Sequence, residues 1–426
     1  MLEVGWIMVM QAKQETSGRR SSGTFALDGA WCFFADPRAL YFKGKYERTY
    51  AGWITSKGDV KLGYYDHQSG LVEEMIVREK LQRDDHANPS LYIDEGGRIT
   101  VFYSAHNGSA MYYRTTERAE DIYSLGQEQT VPVNAPGNKG YTYPTPVYLS
   151  DEKRFYLFWR GGNFKPNFSV CANLERNMWL PARTLIEDQG HRPYIRYVSN
   201  NKDAIHFAFT DGHPHVEPTN SIYYACCRRG ELTDATGAAI KPLDALPLKA
   251  AEAETVFDGK KASRASWIWD IALDESGFPV IVYAVFESKT DHRYYYSRFD
   301  GQKWLTNEMT AAGPWFPQTS AGKEETEPCY SAGIILDHRN PDHVYLSRHA
   351  EGGFSLEHWR TEDGGRSWQS DVLAASESEV LARPFMSRGA GSERNWPALL
   401  FWMKGKYVQY TNYCTSLEFM LSSSTD

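Results

Sequence analysis

A strand, a tight polar turn and a second strand recur along this chain, and that repeat limits its fold more than any other feature. It reads "PSLYIDEGGRITVFYSAH", "TPVYLSDEKRFYLFWRGG" and "RPYIRYVSNNKDAIHFAFTDG", then "WDIALDESGFPVIVYAVFE", "SAGIILDHRNPDHVYLSRH" and "WPALLFWMKGKYVQYTN". A weaker first copy ends in "YERTYAGWIT". Aligning the second strands puts Trp53, Tyr103, Trp159, Phe209, Tyr283, Leu346 and Trp402 in equivalent places, separated by 50, 56, 50, 74, 63 and 56 residues. A hairpin of this size cannot bury its apolar face alone, so copies must pack side by side. Seven such units predict an all-β protein, a seven-bladed β-propeller with four-stranded antiparallel blades around a central funnel. The expected organisation is an N-terminal extension over 1–24 and one propeller domain over 25–420. A pair of β-sandwiches is the structural alternative. The widest gap comes from an insertion in the fourth unit, "ELTDATGAAIKPLDALPLKAAEAE". "TEDGGRSW" (361–368) matches the S/T-x-D-x-G-x-x-W turn called an Asp-box, which builds turns and says nothing of catalysis.

Composition agrees with a β-rich fold and narrows the partners. Aromatic residues make up 14% of the 426 residues, and flat rings suit both pleated surfaces and the faces of sugars. The net charge of −8 and the absence of a long Lys/Arg run argue against a nucleic-acid groove. An acidic ligand remains acceptable where a local basic site overcomes the overall field. Six cysteines lie scattered without CxxC spacing, which suggests neither a disulfide framework nor a zinc ribbon. The N-terminus "MLEVGWIMVMQAKQETSGRR" lacks a basic region ahead of its brief apolar stretch, so it reads poorly as a signal peptide. No later run is apolar enough to cross a membrane as a helix. A monomer without membrane or nucleic-acid partners is expected.

Residues just before the first strand of a hairpin and just after its second emerge on the same face. By this rule His86 and His106 share one end of the second unit, and Tyr143 and Arg160 the same end of the third. Arg192, Asp211, His213 and His215 join them from the fourth, and Arg348 and His349 from the sixth. The opposite end carries only turns, such as "DEGG" and "DESG". One face is therefore the working face. His206, Cys226 and Cys227 fall toward the other end, so no four-ligand metal cluster is expected. Singly, a strand-end His is most often a bonded rim residue, and a lone Arg pairs with a carboxylate such as Asp84 or Asp85. Several meeting on adjacent units shift the balance toward function.

His, Tyr and Arg together suit proton abstraction beside a carboxylate. Histidine exchanges protons near neutrality. A neighbouring cation lowers a tyrosine pKa, and arginine holds a carboxylate with two parallel hydrogen bonds. That is the chemistry of uronate β-elimination: the carboxylate is neutralised, the C5 proton is removed and the O4 leaving group is protonated. A glycosidase instead wants two carboxylates flanking the bond. Asp84, Asp85 and Asp211 keep that reading open.

The stretches "DDHANPS", "FYSAHNG", "YTYPTPVYL", "FWRGGNFKPNF" and "HRPYIRY…IHFAFTDGHP" resemble the BNR-repeat polysaccharide lyases, which include ulvan lyases and rhamnose–glucuronate lyases. The likeness runs from about residue 28 to 412 and is most specific between 84 and 230. It implies β-elimination at a 4-linked glucuronate bearing rhamnose, with no cofactor for the chemistry. By motif position His86 and His106 resemble the family's paired histidines, Tyr143 (or its neighbour Tyr141) its catalytic tyrosine, and Arg160 its carboxylate-neutralising arginine. Asn107, Asn163, Arg192 and His213 are expected to bind substrate. Some relatives carry a structural metal or calcium, whose ligands do not map onto this sequence. An acidic polysaccharide or oligosaccharide of uronate and rhamnose is the expected partner. The compact chain and its lack of extra basic residues favour an exo-acting rhamnose–glucuronate lyase on arabinogalactan-type glycans over an endo-acting ulvan lyase. A non-catalytic carbohydrate-binding propeller and a sialidase-like hydrolase are the readings from other classes.

Overall fold

The computed structural model describes residues 21–132, 140–188, 192–319, 323–350, 352–391 and 395–422. Seven sheets, most of them four-stranded and meandering outward, succeed one another along the chain. Their second strands are Glu47–Ile54, Ile99–Tyr103, Arg154–Arg160, Ala204–Thr210, Pro279–Ser288, His343–Ala350 and Leu399–Gln409. Each holds one of the seven aligned residues, and all seven are buried. The first strands pack against their neighbours around the ring, and the short strand Arg388–Gly389 of blade seven pairs in parallel with Ala39–Lys43 of blade one. The architecture is a seven-bladed β-propeller, not a pair of sandwiches.

Ser22–Ala26 pairs antiparallel with Asn412–Leu421 and forms the outer strand of blade seven. The sheet thus begins at Ser22, inside the segment expected to be an extension, and ends one residue past 420. Most of that expected extension, residues 1–20, lies outside the described residues. The fourth-unit insertion adds a hairpin, Glu231–Thr233 with Ala239–Pro242, and then the strand Glu254–Phe257. The Asp-box joins the last two strands of blade six: Asp363 accepts from the Arg366 and Ser367 amides and the Thr361 hydroxyl, and Trp368 packs on Tyr296.

Between the closing strand and blade one, residues 30–38 run buried through the middle of the ring. Trp31 donates to the Arg383 carbonyl of blade seven, and the Cys32 amide meets Asn88 ahead of blade two. Phe33 stacks on Trp269 of blade five with centroids 3.9 Å apart, and Phe34 packs on Tyr143 and Tyr194 of blades three and four. Below them Asp36 and Arg38 join Arg196, Asp270, His338 and Arg388 in a buried ionic cluster. This plug fills the axis, so the working face is a floored funnel rather than a channel. Nothing in the repeat pattern signalled it. Among the described residues no helix is long and apolar enough to cross a membrane.

Candidate functional site

The sequence "DDHA" forms one turn of 3-10 helix, Asp85–Ala87, ahead of blade two. Asp84 caps it by accepting from the His86 amide at 2.9 Å. The same carboxylate bridges the two histidines: Oδ1 lies 2.7 Å from His86 Nδ1, and Oδ2 lies 2.8 Å from His106 Nδ1. The rings stack with centroids 4.3 Å apart and planes 14° from parallel. An ionised carboxylate only accepts, so each Nδ1 carries a proton, and a neutral imidazole held this way keeps its lone pair on Nε2. Burial pushes the Asp84 pKa up, but hydrogen bonds from His106 and His86 outweigh it and hold the carboxyl well below the usual range. Burial and the charge of His86 press the His106 pKa down to about 4, against the opposing pull of Asp84. At neutral pH His106 is a neutral base with its Nε2 lone pair available.

Asp85 Oδ1 lies 3.1 Å from His86 Nδ1, but its other oxygen serves different partners. Its Oδ2 meets Arg383 Nη1 at 2.6 Å and accepts from the Tyr407 hydroxyl, while Arg383 also donates to the Trp31 carbonyl at 2.6 Å. The duller alternative, that an arginine such as Arg160 merely pairs with Asp84 or Asp85, therefore does not hold. Arg160, only 7% exposed, has no carboxylate within ion-pair distance among the described residues. It donates to the Tyr194 hydroxyl at 2.9 Å and to Asn107 Oδ1 at 2.8 Å, and its guanidinium sits 4.8 Å from the centre of the Tyr143 ring. A buried cation held only by neutral groups is costly unless an anion joins it.

Tyr143 lies in a bulge of the first strand of blade three, where the register shifts between Thr142 and Thr145. Its φ of 62° is in the left-handed region, which a bulky residue rarely adopts. Such strain persists where surrounding structure enforces it, often at functional sites. The bulge turns the ring onto Arg160 and to within 5.8 Å of His86. Its hydroxyl makes no hydrogen bond among the described residues. Burial raises its pKa well above 10, and the nearby Arg160 opposes this only in part. Tyr143 is thus a protonated phenol at neutral pH. Tyr141 instead packs on Trp159 in the core between blades two and three.

The other expected residues divide. Asn107 is in the cluster through Arg160. His213 is at its edge, its ring 5.1 Å from Tyr194 and 4.7 Å from Trp267. Arg192 stacks on Phe164 at 4.5 Å, and that ring also lies 5.6 Å from Arg160. Asn163 is bonded within its own region, to Thr184, Lys165 and Asn167. Asp211 accepts from the Ser221 amide, Arg348 pairs with Glu357, and His349 stacks on Phe354. Sequence reading undervalued Asp84 and missed Tyr194 and Tyr410, the latter set edge-on to His86 at 5.0 Å. Tyr410 lies in the final hairpin, between Leu399–Gln409 and Asn412–Leu421, with no local signal to mark it.

Two groups offer three metal-ligand atoms within 4.8 Å: Asp84, His86 and His106, and Cys32, Asp85 and His86. In the first, both Asp84 oxygens already accept from ring nitrogens. In the second, Asp85 holds Arg383 and burial raises the Cys32 thiol pKa to about 11. The donor sets as arranged fit a hydrogen-bond relay better than a cation.

The buried and half-buried histidines predict how stability depends on pH. His106, His206, His292 and His358 each have pKa values pressed down to about 4, mainly by burial. Below about pH 6.5 the unfolded chain takes up protons that the native rings refuse, so stability present above that value is lost as pH falls toward 4. The slope is on the order of 1.4 kcal/mol per pH unit for each ring. Urea midpoints should fall steadily from pH 6.5 to 4.5, and a flat profile would contradict the burial of neutral imidazoles.

A sequence profile described as a BNR repeat-containing family member matches residues 48–312. No curated protein matches the chain. An ulvan lyase of polysaccharide lyase family PL25 superposes with a TM-score of 0.69 at 16% identity, covering 94% of this chain and 96% of that one. The same enzyme bound to -[GlcA(1-4)Rha3S]- gives 0.68 at 16% identity, over 94% and 96%. The polysaccharide lyase Uly1 gives 0.56 at 12% identity, over 96% and 93%.

Proposed function

The chain belongs to the BNR repeat-containing family, and from that premise we propose that it is a polysaccharide lyase that cleaves a 4-linked uronate by β-elimination. The observation that carries this reading is the buried Arg160, free of any acidic partner among the described residues, beside an unbonded Tyr143 hydroxyl and a neutral histidine. Arg160 receives the substrate carboxylate and withdraws charge, which acidifies the C5 proton. His106 Nε2, its tautomer fixed by Asp84, takes that proton. The C4–O4 bond breaks as the C4–C5 double bond forms, and the Tyr143 hydroxyl protonates the departing O4. His86 holds the stack and shares Asp84.

The superposition on an ulvan lyase seen with a glucuronate–rhamnose oligosaccharide supports an acidic polysaccharide as substrate. Within that class we favour an exo-acting rhamnose–glucuronate lyase, with endo-acting ulvan lysis as the second reading. A glycosidase is weakened because Asp84, Asp85 and Asp211 are all committed to protein partners.

Incubation with ulvan, gum arabic and other rhamnose–glucuronate glycans should raise the ultraviolet absorbance of a 4,5-unsaturated uronate. No rise with any of them would sink the lyase reading and leave a binding propeller. Arg160→Lys keeps the charge but loses the planar fork, and should lower kcat/KM by ~100-fold or more. An unchanged kcat/KM would remove Arg160 from carboxylate neutralisation. His106→Ala should abolish turnover with the fold retained, since the ring sits at the funnel lip; near-wild-type rates would exclude it as the base.

A further inference from the structure

Beyond the histidine pair the working face continues as a groove. Beside Tyr410 a cavity of about 220 Å³ is walled by His215, Glu327, Tyr330 and Tyr407. A second, of about 460 Å³, runs on to Pro214, Phe286, Lys289, His292 and Pro328. The two share His215, Glu325 and Thr326, so they form one path from the catalytic pair toward blade five. Phe286 and the two prolines make apolar walls. His292 is fully buried in this wall; its Nδ1 meets Ser331 Oγ at 2.9 Å, and its Nε2 makes no hydrogen bond of ordinary geometry.

Charge divides the site in two. On the blade-three side stand Arg160 and Arg192. On the groove side stand Glu324, Glu325 and Glu327, with Lys289 as the cation among the lining residues. Glu325 is used within its own loop, accepting from the Glu327 amide and the Thr319 hydroxyl. Lys289 is 3.5 Å from Glu324 in a pair so exposed that it neutralises little. Glu327 has no ion-pair partner among the described residues, and it lies close enough to Tyr410 to add to the burial that raises that phenol's pKa.

On the lyase reading above, we infer that this groove seats uncharged sugar units flanking the uronate, and that Glu324 and Glu327 bar sulfated or further acidic units from it. Apolar walls receive the C–H faces and any deoxy methyl of neutral sugars, while His215 and Thr326 offer polar contacts. Discrimination comes from the repulsive element: a sulfate brought beside the half-buried Glu327 and the exposed Glu324 meets like charge, of which the solvent-exposed Lys289 offsets little. The uronate itself is drawn to the arginine side.

The test uses the full chain and a rhamnose–glucuronate oligosaccharide series with neutral flanking sugars, in unsulfated and chemically sulfated forms. Wild type should favour the unsulfated form by ~10-fold or more in kcat/KM. In E324Q/E327Q that ratio should shrink toward unity. Equal kcat/KM for both forms, a preference for the sulfated form, or a ratio unmoved by the double substitution would each overturn the inference. If no member yields an unsaturated uronate, the lyase reading fails separately. Calorimetric binding of the same pairs then decides the groove: equal or tighter binding of sulfated forms overturns it, and weaker binding relieved in E324Q/E327Q supports it.

Discussion

Tyr143→Phe is expected to lower kcat by ~100- to 10,000-fold, the range for losing a positioned general acid. The substitution removes one oxygen that has no hydrogen bond to lose among the described residues. The ring remains to pack on Phe34 and under Arg160. Thermal unfolding should therefore be unchanged within roughly 0.5 kcal/mol, and KM should move little because Arg160 still binds the carboxylate. Stopped assays for unsaturated product, with calorimetric unfolding of the same preparation, check both halves. A variant with more than half the wild-type kcat would mean that another group protonates O4. Substrates with a better leaving group at O4 should recover part of the loss, which a merely structural effect would not allow.

Asp84→Asn should be nearly as damaging, for a different reason. The carboxylate accepts from two Nδ1–H groups at once, and an amide offers one oxygen and one donor. One ring must then change tautomer or turn away, which removes its Nε2 lone pair from the substrate. When the carboxylate that orients a catalytic histidine is lost, the cost is ~10,000-fold, and a fall of ~1000-fold or more in kcat is expected here. Asp84 is a positioning residue, so kcat should fall far more than KM rises. Nitrogen NMR of the histidines should show the tautomer change directly. If kcat drops while both rings keep their Nδ1–H form, the bridge is not the cause. The capping bond to His86 and the buried pair also support the fold, so stability should fall by roughly 1–3 kcal/mol.

The propeller was legible because its signal is repeated. A single hairpin such as "PSLYIDEGGRITVFYSAH" could sit in many folds, but seven with one register and one turn face leave few. The same logic put His86, His106, Tyr143 and Arg160 on one face, since strand ends have only two directions. Connectivity between distant parts did not show. Residues 30–38 look like an ordinary entry into blade one, and only the folded ring reveals that Phe34 supports Tyr143. Tyr410 and the Glu324–Glu327 loop reach the site from blades six and seven, where no short-range pattern points inward. Asp84 was visible as a residue beside a histidine. Its double use requires knowing that the hairpin brings the histidine 22 positions later onto its second oxygen.

The closing strand imposes an order on how the molecule is made. Ser22–Ala26 is synthesised before the other described strands of the propeller, yet its partner Asn412–Leu421 is synthesised after them, and Thr24 and Glu418 bond across 394 positions. Until the final hairpin exists, the first strand has no sheet to join, and the plug behind it has no complete ring to fill. Contacts this distant in sequence form slowly and leave partly built chains with sticky edges. The floor beneath Tyr143 is therefore set only when the circle shuts, so a nascent chain holding six blades carries the histidine pair but not a working pocket.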